Sequence, residues 1–200
     1  MTKPKFNNTP NNHFRFQYHT THGNSGGDFW ISRAIAVVGI VFVMVENTMK
    51  ILITKRSDKM MDEAGKYGLP CGYLDWDETA FDAMVREIYE ETSLYLPYYE
   101  NYLFSNNNKQ PFTFHDRPDR DKRQNVSLIY LSVYNMNARP DLFPVDILKY
   151  KDHETAEVQW MDIQDFYNIY EAEYQWAFKH NETINEAIKY FNNIDTIKHE

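Results

Sequence analysis

The chain has 200 residues, of which 42% are hydrophobic and 16% aromatic, a composition that suits one folded domain with an arm and excludes a disordered chain. Its single cysteine excludes a disulfide framework, and it has no apolar run near the roughly 20 residues that cross a membrane. The formal net charge of −8 disfavours binding to duplex nucleic acid, although carboxylates can recruit a divalent cation that in turn binds phosphate. Because the N-terminus carries no apolar signal segment, we expect a cytoplasmic protein without membrane or duplex nucleic acid partners.

Residues 1–30 predict a polar arm in front of a main domain that spans 31–200. Aromatic residues alternate with polar ones between Phe14 and Tyr18, which is the two-residue period of a strand, and a glycine-rich connector follows at 23–27. We expect this strand to pair with the edge of a sheet, either in the same chain or in a neighbouring subunit. The alternative is a disordered tail in which the alternation arose by chance.

The next elements predict a β-hairpin. Residues 35–45 form a nearly continuous apolar run, 50–55 form a second β-rich run, and the polar residues 46–48 lie between them. Apolar runs of this length on either side of a short polar connection are typical of paired, partly buried strands. A turn is expected at 69–73, where proline and glycine fall close together.

A helix is predicted over 79–92. Its apolar residues recur at helical spacing, and they are Phe81, Met84, Val85 and Ile88. Thr79, with Asp82 three residues later, has the form of a capping box, which predicts that Thr79 begins the helix.

The remaining elements complete an α/β pattern. Two more β-rich runs, 126–134 and 157–161, precede a helical pattern over 162–193. The apolar positions of that helical pattern are Trp176, Ile184, Ala187, Ile188 and Phe191. Strands interleaved with helices at these spacings predict a mixed sheet with helices packed on its faces.

Three glutamates fall on one side of the predicted helix. Glu87, Glu90 and Glu91 lie within one sector, next to the apolar stripe. Their mutual repulsion disfavours the helix, and a cation such as Mg²⁺, which prefers oxygen ligands and shares its shell with phosphates, would relieve it. Arg86 is placed to pair with a neighbouring carboxylate and fix its rotamer. The alternative is a solvated acidic face, but the cluster borders the buried stripe and follows a glycine-containing turn.

The spacing of these residues resembles the Nudix box. That pattern runs glycine, five residues, glutamate, seven residues, and then Arg-Glu-aliphatic-any-Glu-Glu-any-Gly-aliphatic. The matching residues are Gly72, Glu78, Arg86, Glu87, Ile88, Glu90, Glu91 and Leu94. Ser93 stands where the family has glycine, so we expect Ser93 to end the helix with a positive φ at some cost. No carboxylate of the box is lost.

The resemblance to Nudix hydrolases implies a fold and a chemistry. The fold would be an α/β/α sandwich around a mixed β-sheet, and the activity would be hydrolysis of a nucleoside diphosphate linked to another group, with Mg²⁺ or Mn²⁺ as the cofactor. The resemblance makes Glu87, Glu90 and Glu91 metal ligands. The backbone carbonyl of Cys71 would join them. Glu87 is also a candidate base for the attacking water, and Arg86 and Glu91 belong to the expected catalytic set.

A further carboxylate is expected outside the box. Family members often take one from a loop, and residues 151–160 resemble that segment just before a predicted strand. Glu154 is our choice for this catalytic role, with Asp152 and Glu157 as the next candidates. The alternative is an acidic loop in solvent.

Two other segments resemble the ADP-ribose pyrophosphatase subgroup. Residues 114–123 resemble its Asp-Arg-Asp-Pro-Arg segment, with lysine in place of proline, and 176–180 resemble the Ala-Phe-Asp-His of its final helix, with lysine in place of aspartate. Arg120 and Arg123 would then contact the pyrophosphate or the terminal ribose, because guanidinium groups match phosphate oxygens. The alternative is a solvated loop. His180 is expected to pack or to form a hydrogen bond.

The sequence therefore favours a Nudix pyrophosphohydrolase that cleaves ADP-ribose, or a related nucleoside diphosphate sugar, to AMP and a sugar phosphate. A nucleoside triphosphate or a dinucleotide is the alternative substrate. The alternative of another class is a non-catalytic sensor of ADP-ribose-type ligands, since some proteins of this subgroup join a Nudix domain to a DNA-binding domain. We expect a homodimer that binds small nucleotides.

Overall fold

The computed structural model describes residues 14–18, 27–31, 35–104, 109–116, 125–142, 154–172 and 175–198. The strands are β1 (Phe14–Tyr18), β2 (Gly27–Ile31), β3 (Ile35–Val45), β4 (Thr48–Arg56), β5 (Tyr67–Gly68), β6 (Cys71–Tyr73), β7 (Thr113–His115), β8 (Val126–Asn135) and β9 (Thr155–Asp162). The α-helices are α1 (Ala80–Thr92), α2 (Ile163–Ile169) and α3 (His180–Lys198). None of the described helices is both long enough and apolar enough to cross a membrane.

The main sheet is mixed, as expected. β3 pairs in parallel with β8 and antiparallel with β4 and β6, while β9 pairs with the other edge of β4 and β7 with β8. β4 pairs with β3 only as far as Ile51, and farther along, at Thr54 and Lys55, it pairs with β5 instead. The two central strands therefore separate beyond Ile51, and the segment that contains β5 and β6 lies in the gap between them.

Helices cover both faces of this sheet. Alternate residues of β3 point to opposite faces, as the two-residue period of a strand requires. The buried cluster on one face includes Val37, Val41, Met84, Ile88 and Tyr134. The buried cluster on the other face includes Ile40, Phe42, Phe166, Trp176 and Ile184. Because α1 contributes to the first cluster and α2 and α3 to the second, the architecture is the expected α/β/α sandwich.

The predicted hairpin and the predicted helix ends are confirmed. The turn between β3 and β4 has positive φ at Glu46 and Asn47, 51° and 60°, a geometry that matches the twist of paired strands. At the start of α1, the Thr79 side chain accepts a hydrogen bond from the Asp82 N–H at 3.2 Å. Ser93 ends α1 with a φ of 61°, as its place in the box predicts.

Two local predictions are wrong. The turn expected at 69–73 is in large part a strand, β6, because the gap between β3 and β4 offers its backbone a pairing edge on β3. The helical pattern expected over 162–193 is divided into α2 and α3 by a break at which Phe178 and Lys179 have φ values of 49° and 57°. Neither residue is glycine, so the sequence carries no local signal for this break.

The N-terminal arm contains the predicted strand with a different partner. β1 pairs antiparallel with β2, and together they form a separate two-stranded sheet. The residues that join the two strands, 19–26, lie outside the described part of the chain. The strand therefore finds its partner within the arm, and pairing with a neighbouring subunit stays a prediction.

Candidate active site

α1 packs closely on β3 because Gly39 has no side chain. A Cβ at Gly39 would clash with the side chain of Ile88. Ile88 and Met84 are accordingly buried against the sheet, with 0% and 1% of their surface exposed. The charged side of α1 lies next to this apolar stripe and packs against β6. The box glutamates are thus placed where the helix meets the strand in the gap.

Arg86 ties the charged side chains together. Its Nε and Nη2 donate to the two carboxylate oxygens of Glu78 at 3.1 and 2.8 Å, and its Nη1 donates to Glu87 at 2.7 Å and to Glu90 at 3.0 Å. Nη2 also donates to the Tyr73 carbonyl of β6 at 3.1 Å. Burial by itself lowers the pKa of Arg86, but hydrogen bonds and charges from Glu78 and Glu87 outweigh it and raise the pKa. Arg86 therefore stays charged and fixes the rotamers of two predicted metal ligands, as expected.

Glu87 lies directly against the backbone of β6. A Cβ at Gly72 would overlap the carboxylate of Glu87, so any other residue here would displace a side chain that Arg86 holds in place. Burial raises the pKa of Glu87 to about 7 against the opposing effect of Arg86, and the charges of Glu90 and Glu154 add to the rise. Without a bound cation, this carboxyl group therefore titrates near neutral pH.

Glu91 is the most enclosed of the three glutamates, with 7% of its surface exposed. Its Oε1 accepts a hydrogen bond from the Cys71 N–H at 2.9 Å, and its Oε2 accepts one from the Thr155 hydroxyl at 3.4 Å. Burial raises the pKa of Glu91 to about 8, while the hydrogen bond from Cys71 and the charge of Arg56 oppose the rise. β6 and β9 therefore hold this carboxylate from two sides.

Glu154 lies immediately before β9 and near the box. Its backbone carbonyl accepts a hydrogen bond from the Ser57 N–H at 2.7 Å, which fixes the start of the strand. Burial is the main cause of the raised pKa values of Glu87 and Glu91, and the negative charge of Glu154 adds a smaller rise to both. The exposed side chain of Glu154 therefore lies close enough for its charge to act on two box carboxylates.

Of the other predicted site residues, one makes a different contact and three lie outside the described residues. Glu157, a second candidate for the carboxylate outside the box, pairs with Lys55 at 3.2 Å on the surface. Asp152, the other candidate, lies outside the described residues. Arg120 and Arg123, the expected substrate contacts, also lie outside them.

A family model described as the NUDIX domain matches residues 35–185. The chain belongs to this family. The match contains both β3 and the box helix α1, and it ends within α3, so it covers the sandwich and leaves out the arm.

The name of one curated relative includes a substrate. The ADP-ribose pyrophosphatase of Methanocaldococcus jannaschii is 34% identical over 103 residues, which cover 51% of this chain and 52% of that protein. The chain therefore spans about half the length of this relative.

Solved structures share the fold. The NUDIX domain of Shewanella oneidensis NrtR, complexed with ADP ribose, has a TM-score of 0.56 and 19% identity, covering 80% of this chain and 88% of that one. NrtR complexed with a 27mer DNA has a TM-score of 0.57 and 20% identity, covering 80% and 63%. A bifunctional NMN adenylyltransferase/ADP ribose pyrophosphatase of Francisella tularensis, complexed with AMP and a Mn ion, has a TM-score of 0.59 and 23% identity, covering 78% and 41%. At these identities the likeness shows the fold alone.

The Nudix carboxylates suit a divalent cation by their chemistry. In the described part of the chain, no three His, Cys, Asp or Glu side chains are already arranged as a metal site. The box glutamates bind Arg86, the Cys71 N–H and the Thr155 hydroxyl instead. Yet their oxygens are the ligands that Mg²⁺ and Mn²⁺ prefer, and burial raises the pKa values of Glu87 and Glu91, so an added positive charge is favoured here.

Cys71 takes part in the site through its backbone N–H rather than through its thiol. It lies in β6 and is only partly buried as a residue, and its N–H donates to Glu91. Burial of the sulfur raises the pKa of the thiol, which disfavours the thiolate that a nucleophile requires. Ligation of the cation by the carbonyl of Cys71 stays a prediction.

Three residues beside the Nudix site were not predicted to be functional, and they are Glu78, Arg56 and Thr155. Glu78 matches the box pattern, and that match is the one sequence signal for its paired hydrogen bonds with Arg86. Arg56 and Thr155 face each other across β4 and β9, next to an irregularity in the strand pairing. No local pattern signals these two, because only the sheet brings them to Glu91.

Proposed function

We propose that this protein is a metal-dependent Nudix pyrophosphohydrolase that cleaves ADP-ribose, or a related nucleoside diphosphate sugar, to AMP and a sugar phosphate. The observation that carries the proposal is the full set of box carboxylates on α1, two of them held in fixed rotamers by Arg86. The name of the M. jannaschii relative and the ADP ribose in the NrtR structure support the substrate class.

The chemistry assigns a role to each side chain. Glu87, Glu90 and Glu91 would hold the cation, with the carbonyl of Cys71 beside them. When bound, Mg²⁺ or Mn²⁺ supplies positive charge that neutralises the pyrophosphate and makes water more acidic. Glu87, whose pKa burial raises to about 7, is suited to take the proton of the attacking water, and Glu154 is the other candidate for this base. Water attacks one phosphorus atom, and the bridging P–O bond breaks with its electron pair leaving on the other phosphate.

A panel of nucleotide substrates tests this function. ADP-ribose, nucleoside triphosphates and dinucleotides are assayed with Mg²⁺ and with Mn²⁺, and the products are identified by chromatography. We expect AMP and ribose 5-phosphate from ADP-ribose, with a higher kcat/KM than for any triphosphate. A preference for triphosphates would overturn the ADP-ribose assignment. Activity that survives in excess chelator would overturn the metal-dependent chemistry.

Arg120 and Arg123 are the proposed substrate contacts. Arg120→Ala should lower kcat/KM for ADP-ribose more than for a triphosphate, because it removes a substrate contact and leaves the metal carboxylates intact. Lys109→Ala, a change at an exposed lysine that lies near Glu100, is a matched control for loss of one positive charge. Equal losses on both substrate classes would indicate a structural role for the loop.

A non-catalytic sensor is the second candidate. The NrtR structures favour this candidate, since the NUDIX domain of NrtR is complexed with ADP ribose in one and NrtR is complexed with DNA in another. Binding of ADP-ribose without turnover, in the presence of either metal, would replace hydrolysis by sensing. Hydrolysis of ADP-ribose by the wild type, even if slow, that is lost in Glu91→Gln would reject the sensor hypothesis.

The arm supports the further proposal of a homodimer. β1 and β2 form a two-stranded sheet of their own, and an isolated hairpin of this size has little stability in water unless it packs on another surface. Analytical ultracentrifugation of the full chain and of a variant without residues 1–30 tests this. We expect a dimer that becomes a monomer on deletion, and a monomeric full chain would overturn it. A cytoplasmic location is likewise proposed, and cell fractionation tests it.

A further inference from the structure

Residues 176–180, here called the elbow, join the region of α2 to α3 and carry an unusual backbone. Phe178 and Lys179 both have positive φ, 49° and 57°, although neither is glycine. Side-chain-bearing residues keep such a conformation only where the surrounding structure holds them in it, and such residues often lie next to functional sites. The contacts of the elbow show what holds it.

His180 connects the elbow to the strand that carries Cys71. It is buried, with 5% of its surface exposed, and its Nδ1 accepts a hydrogen bond from the Leu69 N–H at 2.9 Å. Packing here is close, since a Cβ at Gly68 would lie 3.2 Å from Nδ1. Two residues after Leu69, the Cys71 N–H donates to Glu91. His180 therefore fixes the chain immediately ahead of a hydrogen-bond donor to a box carboxylate.

Phe178 connects the elbow to the other side of Glu91. The guanidinium carbon of Arg56 lies 5.1 Å from the centre of the Phe178 ring, a cation–π contact, and its Nε donates to the Asp62 carbonyl at 3.2 Å. Arg56 is paired across β4 and β9 with Thr155, whose hydroxyl contacts Glu91. The Phe178 ring thus contacts Arg56 on β4, and the paired strand β9 carries Thr155, the second hydrogen-bond donor to Glu91.

We propose that Phe178 and His180 are positioning residues for Glu91, acting through Arg56 and through the Leu69–Cys71 backbone respectively. The left-handed backbone of the elbow aims the two side chains at two different strands, β4 and the segment leading into β6. β4 and the segment leading into β6 are neighbours in the sheet, so both contacts lie on the same side of the elbow. In a regular helix, side chains two residues apart point in different directions, and one of the two contacts would be lost. The proposal rests on the proposed function, since Glu91 matters through the cation it would hold.

His180 is tested with two variants and a control. His180→Leu removes the acceptor, whereas His180→Asn keeps an acceptor near the position of Nδ1. Ile184→Ala is the control, because Ile184 is fully buried on α3 and its truncation destabilises that helix without removing a hydrogen bond to the Leu69–Cys71 backbone. For each protein we would measure the Mn²⁺ dissociation constant by electron paramagnetic resonance, the kinetic constants for ADP-ribose and the thermal midpoint.

We expect His180→Leu to weaken Mn²⁺ binding and lower kcat by roughly 10-fold, with KM little changed, because outer residues that orient metal ligands have effects of this order. His180→Asn should restore most of both losses. Ile184→Ala should lower the thermal midpoint as much or more, with the Mn²⁺ dissociation constant unchanged. If His180→Leu and Ile184→Ala change only the thermal midpoint, the role of His180 is structural and the proposal is wrong.

Phe178 has an analogous pair of variants. Phe178→Leu keeps an apolar side chain but removes the ring, whereas Phe178→Tyr keeps the ring under Arg56. We expect kcat to fall by roughly 3- to 10-fold in Phe178→Leu and to recover in Phe178→Tyr. Equal kcat values in the two variants would overturn the part assigned to Phe178.

Amide hydrogen exchange separates this proposal from the proposed function. His180→Leu should speed exchange at the Leu69 and Cys71 amides by roughly 10-fold relative to Ile184→Ala, whether or not the protein is an enzyme. Unchanged exchange at both amides overturns the positioning role. A wild-type protein that neither binds Mn²⁺ nor hydrolyses nucleotides would overturn the proposed function instead.

Discussion

On the α1 side of the sheet, buried charged side chains such as Arg86 and Glu91 lie next to the apolar cluster, whereas the cluster on the α2 and α3 side contains large aromatic side chains such as Phe166 and Trp176. These two rings meet edge to face with their centroids 5.5 Å apart. Burying a carboxylate costs free energy, and burying an aromatic ring gains it. The aromatic face therefore offsets what the charged face costs the folded state, and each face should respond differently to substitution.

The largest effect is expected on the charged face, from Glu91→Gln. We expect kcat/KM to fall by roughly 100-fold or more, because the change removes a charge that would bind the cation while keeping the shape of the side chain. The free energy of unfolding should stay the same or rise, since a buried like charge is lost. Enzyme assays and denaturant titrations of both proteins check this, and a variant with unreduced activity would break the contrast.

On the aromatic face, Phe166→Ala should have the opposite profile. Loss of this fully buried ring should lower the free energy of unfolding by about 3–5 kcal/mol, because it leaves a cavity among packed side chains. The kcat of the folded protein should stay within about twofold, since the Phe166 ring makes none of the hydrogen bonds that hold Glu91. Denaturant unfolding and assays at low temperature test both parts. A loss of kcat without a loss of stability would contradict the division between the faces.

Proton binding sharpens the contrast further. Burial raises the pKa values of Glu87 and Glu91 to about 7 and about 8, above the usual glutamate value of 4.5. The folded state therefore binds more protons than the unfolded chain between 4.5 and these values, so these groups favour folding most at low pH, and stability falls as the pH rises through 7 and 8.

Unfolding experiments across this pH range, with chelator or with Mg²⁺, measure the effect. The fall in stability should be smaller in Glu91→Gln, in which one of the two groups no longer titrates. Added Mg²⁺ should stabilise the wild type more above pH 8 than below pH 7, because its ligands must lose their protons to bind. Stabilisation by Mg²⁺ that does not depend on pH would show that the cation binds elsewhere.

The smallest effect is expected at the end of α1. Ser93→Gly should stabilise the fold by a few tenths to about 1 kcal/mol, because glycine adopts the observed φ of 61° without strain. The helix cap itself, the Ser93 N–H donating to the Tyr89 carbonyl at 2.7 Å, should be kept. A thermal midpoint that drops would mean that the serine side chain contributes more than its backbone strain costs.

Sequence predicts those elements whose signals are local. The apolar spacing of α1, its Thr79 cap and its Ser93 end all lie within one short stretch, and the structure has all three. β6 was unpredictable because its strand pairing depends on where β3 and β4 separate. The break at Phe178 was unpredictable because its left-handed backbone is held by contacts with Arg56 and the Leu69 N–H, which lie more than 100 residues away.

The candidate site also contains residues that the sequence predicts and residues that it does not. One helix places Glu87, Glu90 and Glu91, so their spacing alone brings them together. Arg56 and Thr155 reach the same place from two strands, and no spacing in the sequence relates them to α1. Their positions follow only from the sheet.

The hydrogen bond from Cys71 to Glu91 gives the protein an internal spectroscopic probe. Most strand amides point to a neighbouring strand, but this N–H ends on a side chain that the proposed chemistry would use. Its nitrogen and proton chemical shifts should respond to any change in the charge on Glu91, whether by protonation or by a bound cation. A single backbone resonance would then follow the state of the site in solution without a substrate, a label or a substitution.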